Sequence, residues 1–131
     1  MYLRLPLYIA DTYQRARDEA EESIMHFYHE QANLLEGAAR LVDPETAARR
    51  MRRVEQLRHL DYDEAVRTNA LVGSPDTIAE KLRSLQAEIG LSGILAELNC
   101  GGLIPHHRVL NAMELLCKAV MPRFSRGTPS A

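Results

Sequence analysis

The chain has 131 residues, 46% of them hydrophobic, which is enough for one domain with a core. Its 16 Lys and Arg against 18 Asp and Glu give a net charge of −2, which argues against a nucleic-acid or membrane partner. Two cysteines, Cys100 and Cys117, indicate a reducing compartment rather than a disulfide framework. The apolar N-terminal stretch is too short for a signal peptide or a membrane span, so we expect a cytoplasmic protein.

Residues 3–10 predict a strand that leads into a long helix. Apolar residues alternate along this segment and share one side of it: Leu3, Leu5, Leu7 and Ile9. Pro6 lacks an amide donor, so it weakens one side of the strand or places the strand at an edge. Asp11 has the position of a helix N-cap, with Gln14 completing a capping box, and the helix is expected over about 12–32. Its inward stripe is predicted to consist of Ala16, Ala20, Ile24, Phe27 and Gln31.

Residues 43–69 predict peripheral structure. Asp43 and Pro44 form a start signal for a helix over about 44–58, which carries many charged side chains and few large apolar ones. The run "ARRMRRVEQLRH" has acidic neighbours and no aromatic residue, so it indicates a solvated helix face rather than a phosphate-binding surface. Residues 60–69 predict only a short helical turn.

From residue 70 onward the pattern alternates between strands and helices. "ALVG" predicts a short strand, after which Ser74 is the expected N-cap, with Pro75 in the first turn and Asp76 facing the helix dipole. The helix ends at Gly90, and its apolar stripe is Ile78, Leu82, Leu85 and Ile89. Residues 91–99 then predict a strand buried on both faces.

Pro105 starts a last amphipathic helix, which is expected to reach about Val120. Strands separated by helices predict an α/β fold with a parallel sheet. Two strands, or three with residues 70–72, cannot cover both faces of such a sheet or hide its edges. The domain is therefore expected over 1–124 as part of a larger α/β architecture, with a disordered tail at 125–131.

Three segments together resemble the C-terminal end of the bacterial luciferase-like, flavin-dependent monooxygenase family. "LYIADTYQRARDEAE" is similar to a late barrel strand of that family and the Ala- and Glu-rich helix after it. "LVGSPDTIAEKLRSLQAEIG" is similar to its Gly-Ser/Thr-Pro helix start and long amphipathic helix. "ILAELNCGGLIPHHRVLNAMELLCKAVMPRF" resembles its last strand, Gly-Gly turn and closing helix. Departures from the family pattern occur at Cys100, Asn111 and Leu116.

The resemblance implies a (β/α)8 TIM barrel, of which this helix-rich chain would supply about the last two βα units. A full barrel takes about 250 residues or more, so most of it is absent from this sequence. We therefore expect completion by self-association into a homo-oligomer, or by a partner that supplies the missing strands. The resemblance also implies FMN or a deazaflavin as cofactor, and oxidation of a small organic substrate with reduced flavin and O2.

Barrel enzymes place their chemistry at the C-terminal ends of the strands. Cofactor contact is accordingly expected at Gly73 and Ser74, where amides at the start of a helix can bind a phosphate. The alternative explanation of these two residues is a well-capped helix. Residues around the end of the last strand are expected to line the substrate: Asn99, Gly101, Gly102 and His106. Asn99 is balanced between binding and capping, and no catalytic residue is assigned.

The remaining chemically notable residues favour structural roles. Asp11 is interpreted as a helix cap, and Glu97 as the partner of a neighbouring Arg or Lys, since an unpaired buried carboxylate is costly. His106 and His107 point about 100° apart on a helix and lack, with Cys100, a fourth ligand, so no metal site is predicted. A group on the long helix is interpreted as a solvated polar face: Glu22, His26, His29 and Glu30.

The sequence thus predicts a luciferase-like flavin-dependent monooxygenase, here as a truncated C-terminal segment that is inactive alone. The alternative is a non-catalytic self-associating or assembly module derived from that fold.

Overall fold

The structure, a computed structural model, describes residues 1–124, so the predicted tail lies outside the described residues. The elements follow in the order β1 (Tyr2–Ile9), α1 (Tyr13–Ala39), α2 (Pro44–Arg58), α3 (Tyr62–Thr68), β2 (Leu71–Gly73), α4 (Pro75–Ile89), β3 (Gly93–Glu97) and α5 (His106–Leu115). A π-helical turn (Leu116–Val120) and a 3₁₀ turn (Met121–Arg123) continue α5, and we call the two together the C-terminal turns.

The three strands form a parallel sheet in the order β2-β1-β3, as the α/β pattern predicted. Tyr2–Pro6 pair with β3, whereas Leu7–Ile9 pair with β2. The strand β1 is therefore central, and β2 and β3 pair with different halves of it. In the described part of the chain, the N-terminal half of β1 has no strand partner on the β2 side.

Pro6 lies in this open half of β1, not in an edge strand. The amide of Ala10 donates to the carbonyl of Gly73 at 3.2 Å, so even-numbered residues of β1 direct their backbone groups toward β2. Continuing the register, an amide at position 6 would face the carbonyl of Asn69, which instead accepts from the hydroxyl of Tyr28 at 3.2 Å. The proline is thus tolerated because position 6 lies outside the part of β1 that pairs with β2, and the carbonyl of Asn69 has another donor.

Helices pack on both faces of the sheet and form two cores. On one face, which we call the α1 face, Tyr8, Ala10 and Val72 pack against α1, α2 and α3. On the other, the α4 face, α4 and the C-terminal turns cover the alternating side of β1, as predicted: Leu3, Leu5, Leu7 and Ile9. The connection from β2 to β3 through α4 crosses over β1, because β1 lies between these two strands in the sheet.

The α1 face is covered only along the carboxyl half of β1. At the other half Tyr2 and Leu95 are 72% and 63% exposed, and Arg4 is also exposed. We call this region, formed by Tyr2, Arg4, Leu95 and Glu97, the bare face. The prediction that β3 is buried on both faces is wrong for this chain, because within residues 1–124 no element covers its outer edge or its bare face.

Helix starts agree with the predictions except at α1. Thr12, not Asp11, is the N-cap, since its side chain accepts from the amide of Arg15. Asp11 lies one residue too early and instead pairs with the Arg15 side chain at 3.4 Å. The predicted caps Asp43 and Ser74 accept from amides three residues on, and Gly90 ends α4 in the left-handed conformation with φ 65°.

The helix α1 extends to Ala39, well beyond the expected end near residue 32. The reason is α2, which folds back along it and buries Val54 and Leu57 against it, so α2 is less peripheral than its charge predicted. Beyond Ile24 the inward stripe of α1 continues through Tyr28 and Ala32, while the predicted Phe27 and Gln31 are only partly buried.

Candidate functional site

A charged network lies at the carboxyl end of β1. The side chain of Glu19, only 12% exposed, accepts from the Tyr8 hydroxyl at 2.6 Å and from Arg15 Nε at 3.1 Å. Arg108 of α5 approaches the same carboxylate at 3.6 Å. Both guanidinium groups remain partly exposed, so two cations converge on a carboxylate that is itself almost out of water.

The pKa values of this network follow from its geometry. Burial alone would raise the pKa of Glu19, but the hydrogen bonds from Tyr8 and Arg15, together with the charge of Arg108, bring it below its ordinary value. Burial, then the bond to Glu19, raise the pKa of the Tyr8 phenol well above its usual range. At neutral pH the network therefore holds a carboxylate and a protonated phenol.

At the carboxyl end of β2, Gly73 and Ser74 lead into α4. Gly73 is buried, and a Cβ there would come within 2.8 Å of the Thr77 side chain. The Ser74 Oγ accepts from the amide of Thr77 at 3.3 Å and lies 3.1 Å from its hydroxyl. Packing against Thr77 and capping of α4 therefore account for both residue types in this structure.

After β3, a loop is fixed to the middle of α1 by Ser23. The Ser23 hydroxyl donates to the carbonyl of Cys100 and accepts from the amide of Leu103 at 3.1 Å. Gly101 has φ 89°, and a Cβ there would collide with the Ser23 carbonyl oxygen. Only glycine fits at this close approach.

The side chain of Asn99 closes the same loop on itself. Its amide nitrogen donates to the carbonyl of Ile104 at 3.2 Å, and its oxygen accepts from the amide of Ile104 at 3.0 Å. Gly102, with φ 71°, has open space around the position of a Cβ. His106, the first residue of α5, is exposed. The loop thus presents Gly102 and His106 to solvent, while Asn99 and Gly101 hold its shape.

Glu97 forms the predicted ion pair, and its partner is Arg4 on the neighbouring strand. The thiol of Cys100 donates to the second carboxylate oxygen of Glu97 at 2.9 Å. Burial raises the pKa of this thiol to about 11, so it is protonated at neutral pH and unsuited to nucleophilic chemistry. The carboxylate therefore links β1, β3 and the following loop.

A polar cleft of about 410 Å³ opens beside this ion pair, between β1, α1 and the approach to β2. Tyr28 and Asn69 line it, together with further charged and polar side chains: Arg4, Gln31, Arg53, Thr68 and Glu97. The cleft is continuous with the bare face through Arg4 and Glu97. It can accept a polar group of modest size at the boundary of α1 and the sheet.

The structure keeps the predicted site residues in two separate groups. Gly73 and Ser74 lie at the start of α4, whereas the others occupy the loop that is fixed to α1: Asn99, Gly101, Gly102 and His106. None of these six residues lines the polar cleft. The Glu19 network was missed, because Arg15 and Glu19 show only an i, i+4 spacing and Tyr8 and Arg108 join them through folding.

Within residues 1–124, no three His, Cys, Asp or Glu side chains gather in a way that would hold a metal ion. Among the helices of that same part of the chain, none combines the length and the apolar character needed to cross a bilayer.

Comparison with known proteins found one matching family model and similar solved structures. The model of the luciferase-like monooxygenase family matches residues 1–92, which includes two of the three segments with the family resemblance. A similar solved structure is the oxygenating constituent of 3,6-diketocamphane monooxygenase from the CAM plasmid of Pseudomonas putida, a type II Baeyer-Villiger monooxygenase in complex with FMN. No curated protein matches the chain.

The structural match has a TM-score of 0.63 at 22% sequence identity and covers 93% of this chain. It covers 33% of that protein, so the chain spans about a third of the length of its structural neighbour. At this identity the likeness shows the fold alone. The family model, in contrast, matches well over half of the chain, and the chain therefore belongs to the luciferase-like monooxygenase family.

Proposed function

We propose that this chain supplies the C-terminal βα units of a flavin-dependent monooxygenase barrel that oxidises a small organic substrate. The observation that carries the proposal is the unequal cover of the parallel pair β1 and β3. Their α4 face is packed with helix, while the bare face opposite is open. Barrels turn one face of each strand inward and ring the other with helices. The uncovered amino half of β1 and the uncovered side of β3 resemble an inward barrel face, whereas helices cover both faces of the carboxyl half of β1.

The flavin contact is proposed for the completed barrel, not for this chain alone. Thr77 fills the space next to Gly73, and Ser23 fills the space next to Gly101. Neither glycine therefore leaves a cavity for the ring system of a flavin. The described residues therefore do not form a flavin pocket by themselves. In the completed barrel, the turn at Gly73 and Ser74 would bring the start of α4 to face the phosphate of FMN or of a deazaflavin. The bound reduced flavin supplies the oxygen-activating chemistry.

The substrate-facing part of the proposal concerns the loop after β3. Its exposed residues, Gly102 and His106, would line the mouth of the completed barrel, and Asn99 and Gly101 would keep the loop in place. A cytoplasmic setting belongs to the same proposal, since neither Cys100 nor Cys117 is in a disulfide.

The experiment is a flavin-binding comparison between the isolated chain and a chimera. In the chimera, this chain replaces the matched third of the diketocamphane monooxygenase constituent, whose structure contains FMN. We expect the isolated chain to show no saturable quenching of FMN fluorescence, and the chimera to retain the flavin after gel filtration.

Two outcomes would contradict the proposal. Saturable FMN binding by the isolated chain would show that it needs no further strands. A chimera with the circular dichroism and cooperative unfolding of a folded protein, but without flavin, would show that this chain does not provide a flavin-compatible wall.

A second candidate function is a non-catalytic assembly module derived from the same fold. It is favoured by the two open strand edges and by the large apolar side chains of Tyr2 and Leu95 on the bare face. This module would associate with further copies of itself or with a partner that supplies strands.

A further inference from the structure

Within residues 1–124 the sheet has two open edges, and they differ in how they are protected. The open half of β1 contains Pro6, whose missing amide is on the open side, and such prolines discourage strand addition. The outer edge of β3 has the sequence "GILAE", with no proline and no lysine. The edge of β3 therefore lacks proline and lysine, two of the features that natural proteins use to prevent pairing with another chain.

The surfaces next to the β3 edge are apolar on both faces. On the α4 face, an apolar cleft of about 440 Å³ lies between α4, β3 and the C-terminal turns, lined by residues that include Leu91, Ile94, Leu116 and Met121. Met121 is 55% exposed there. On the bare face, Leu95 is 63% exposed. Pairing at this edge would thus bury apolar surface on both sides of the new strand.

We propose that β3 pairs antiparallel with β3 of a second copy of this chain, around a two-fold axis near Leu95. The result is a continuous six-stranded sheet made of two three-stranded sheets. A two-fold interface brings each residue of one copy against its symmetry mate, so the edge must be complementary to itself. This inference deepens the second candidate function by naming the surface through which copies associate.

The charges of the edge suit this pairing. Around an axis at Leu95, each Leu95 lies opposite its mate, and each Glu97 lies opposite Gly93 of the other copy. No like charges face each other across the strands. Glu97 is already paired with Arg4 of its own copy, so its charge is compensated before association. A second copy therefore fits this edge without placing like charges opposite each other.

The test is the oligomeric state of the full chain and of the Leu95→Lys variant, measured by sedimentation velocity over a range of concentrations. The wild-type chain is expected to dimerise. Leu95→Lys places two ammonium groups opposite each other, and we expect the dissociation constant to rise about tenfold or more. Leu34→Lys is the matched control, because Leu34 is 73% exposed on α1, away from the edge, and should leave the dimer intact.

A mixing experiment tests the two-fold geometry directly. Leu95→Lys and Leu95→Glu should each dimerise more weakly than the wild type, but the two combined should form a tighter mixed dimer, since opposite charges then face each other. Circular dichroism checks that each variant is folded. We expect folded variants because the side chain of Leu95 is exposed.

Three results would overturn the proposal. A wild-type chain that stays monomeric at high concentration excludes pairing of copies at any surface. If Leu95→Lys leaves the dimer unchanged, the chain self-associates, but β3 is not part of the interface. Failure of the two charged variants to combine excludes the two-fold pairing at Leu95.

Discussion

Glu19 carries most of the electrostatic coupling at the carboxyl end of β1. Its carboxylate receives Tyr8 from the sheet, Arg15 from its own helix and Arg108 from α5. A partly buried carboxylate with these partners stabilises the fold most while it is ionised, because Tyr8 and Arg15 donate hydrogen bonds to the charged form and Arg108 attracts it.

Replacement of Glu19 by Gln is expected to lower the free energy of unfolding by about 1–2 kcal/mol near neutral pH. The pKa of Glu19 is lower in the folded chain than in the unfolded one, so its contribution is present above the unfolded value, about 4.3, and is lost as the pH falls through the folded value. The difference between wild type and Glu19→Gln should therefore shrink as the pH falls from about 5 toward about 3.

Urea titrations at several pH values measure this difference. Glu22→Gln is the control, because Glu22 is exposed on the same helix and should leave both the stability and its pH dependence nearly unchanged. A gap between wild type and Glu19→Gln that stays constant down to about pH 3 would refute the electrostatic role of Glu19.

For individual residues, the sequence predicted the kind of interaction better than it predicted the partner residue. An ion pair for Glu97 followed from the cost of an isolated carboxylate, but Arg4 as its partner follows only from the register of β1 and β3. The N-cap of α1 was displaced by one residue because Asp11 and Thr12 are both good caps, and only the path of the chain selects Thr12.

The element with the clearest mechanical role is the loop between β3 and α5. Ser23, in the middle of α1, bonds to the loop at Cys100 and Leu103, and Gly101 packs against the backbone of α1. The loop thereby fixes α1 relative to the last strand.

Gly101→Ala should destabilise the chain by about 3 kcal/mol or more, because its Cβ collides with backbone that cannot move without shifting α1. Gly102→Ala is the matched control: it has a similar positive φ but open space, so only conformational strain of about 1 kcal/mol is expected. Denaturation midpoints at a constant m-value measure both effects. Equal losses for the two variants would mean that the close contact with Ser23 contributes nothing.

Local signals predicted elements well where the cap and the periodicity agreed. The helix α4 is bounded as predicted because Ser74, Pro75 and Gly90 each act within one turn. The length of α1 and the packing of α2 were missed, since both depend on burial of Val54 and Leu57 against a helix distant in sequence.

At the scale of the whole molecule, the cover of the sheet is uneven. Within residues 1–124, α4 and the C-terminal turns cover one face except at the apolar cleft beside β3, while the bare face and the outer edge of β3 are open. A sheet of this size gains stability from any further strand that covers these surfaces, so association and stability should be coupled.

This coupling predicts that the melting temperature of the wild-type chain depends on protein concentration. For a dimer of chains of this length, a tenfold increase in concentration should raise the melting temperature by about 2–3 °C. The Leu95→Lys variant should show no such increase under the same conditions. Scanning calorimetry at two protein concentrations measures this dependence. A wild-type melting temperature that is independent of concentration would contradict the coupling between association and stability.

The sequence by itself determined the element order, the parallel α/β class and the family, because caps, periodicity and family segments are local in the chain. Only the tertiary structure decided that β1 is central and that β3 is open. It also decided that the predicted site residues fall into two groups, with the Glu19 network between β1, α1 and α5. These features depend on contacts between residues far apart in sequence, and such contacts leave no periodic or local signal.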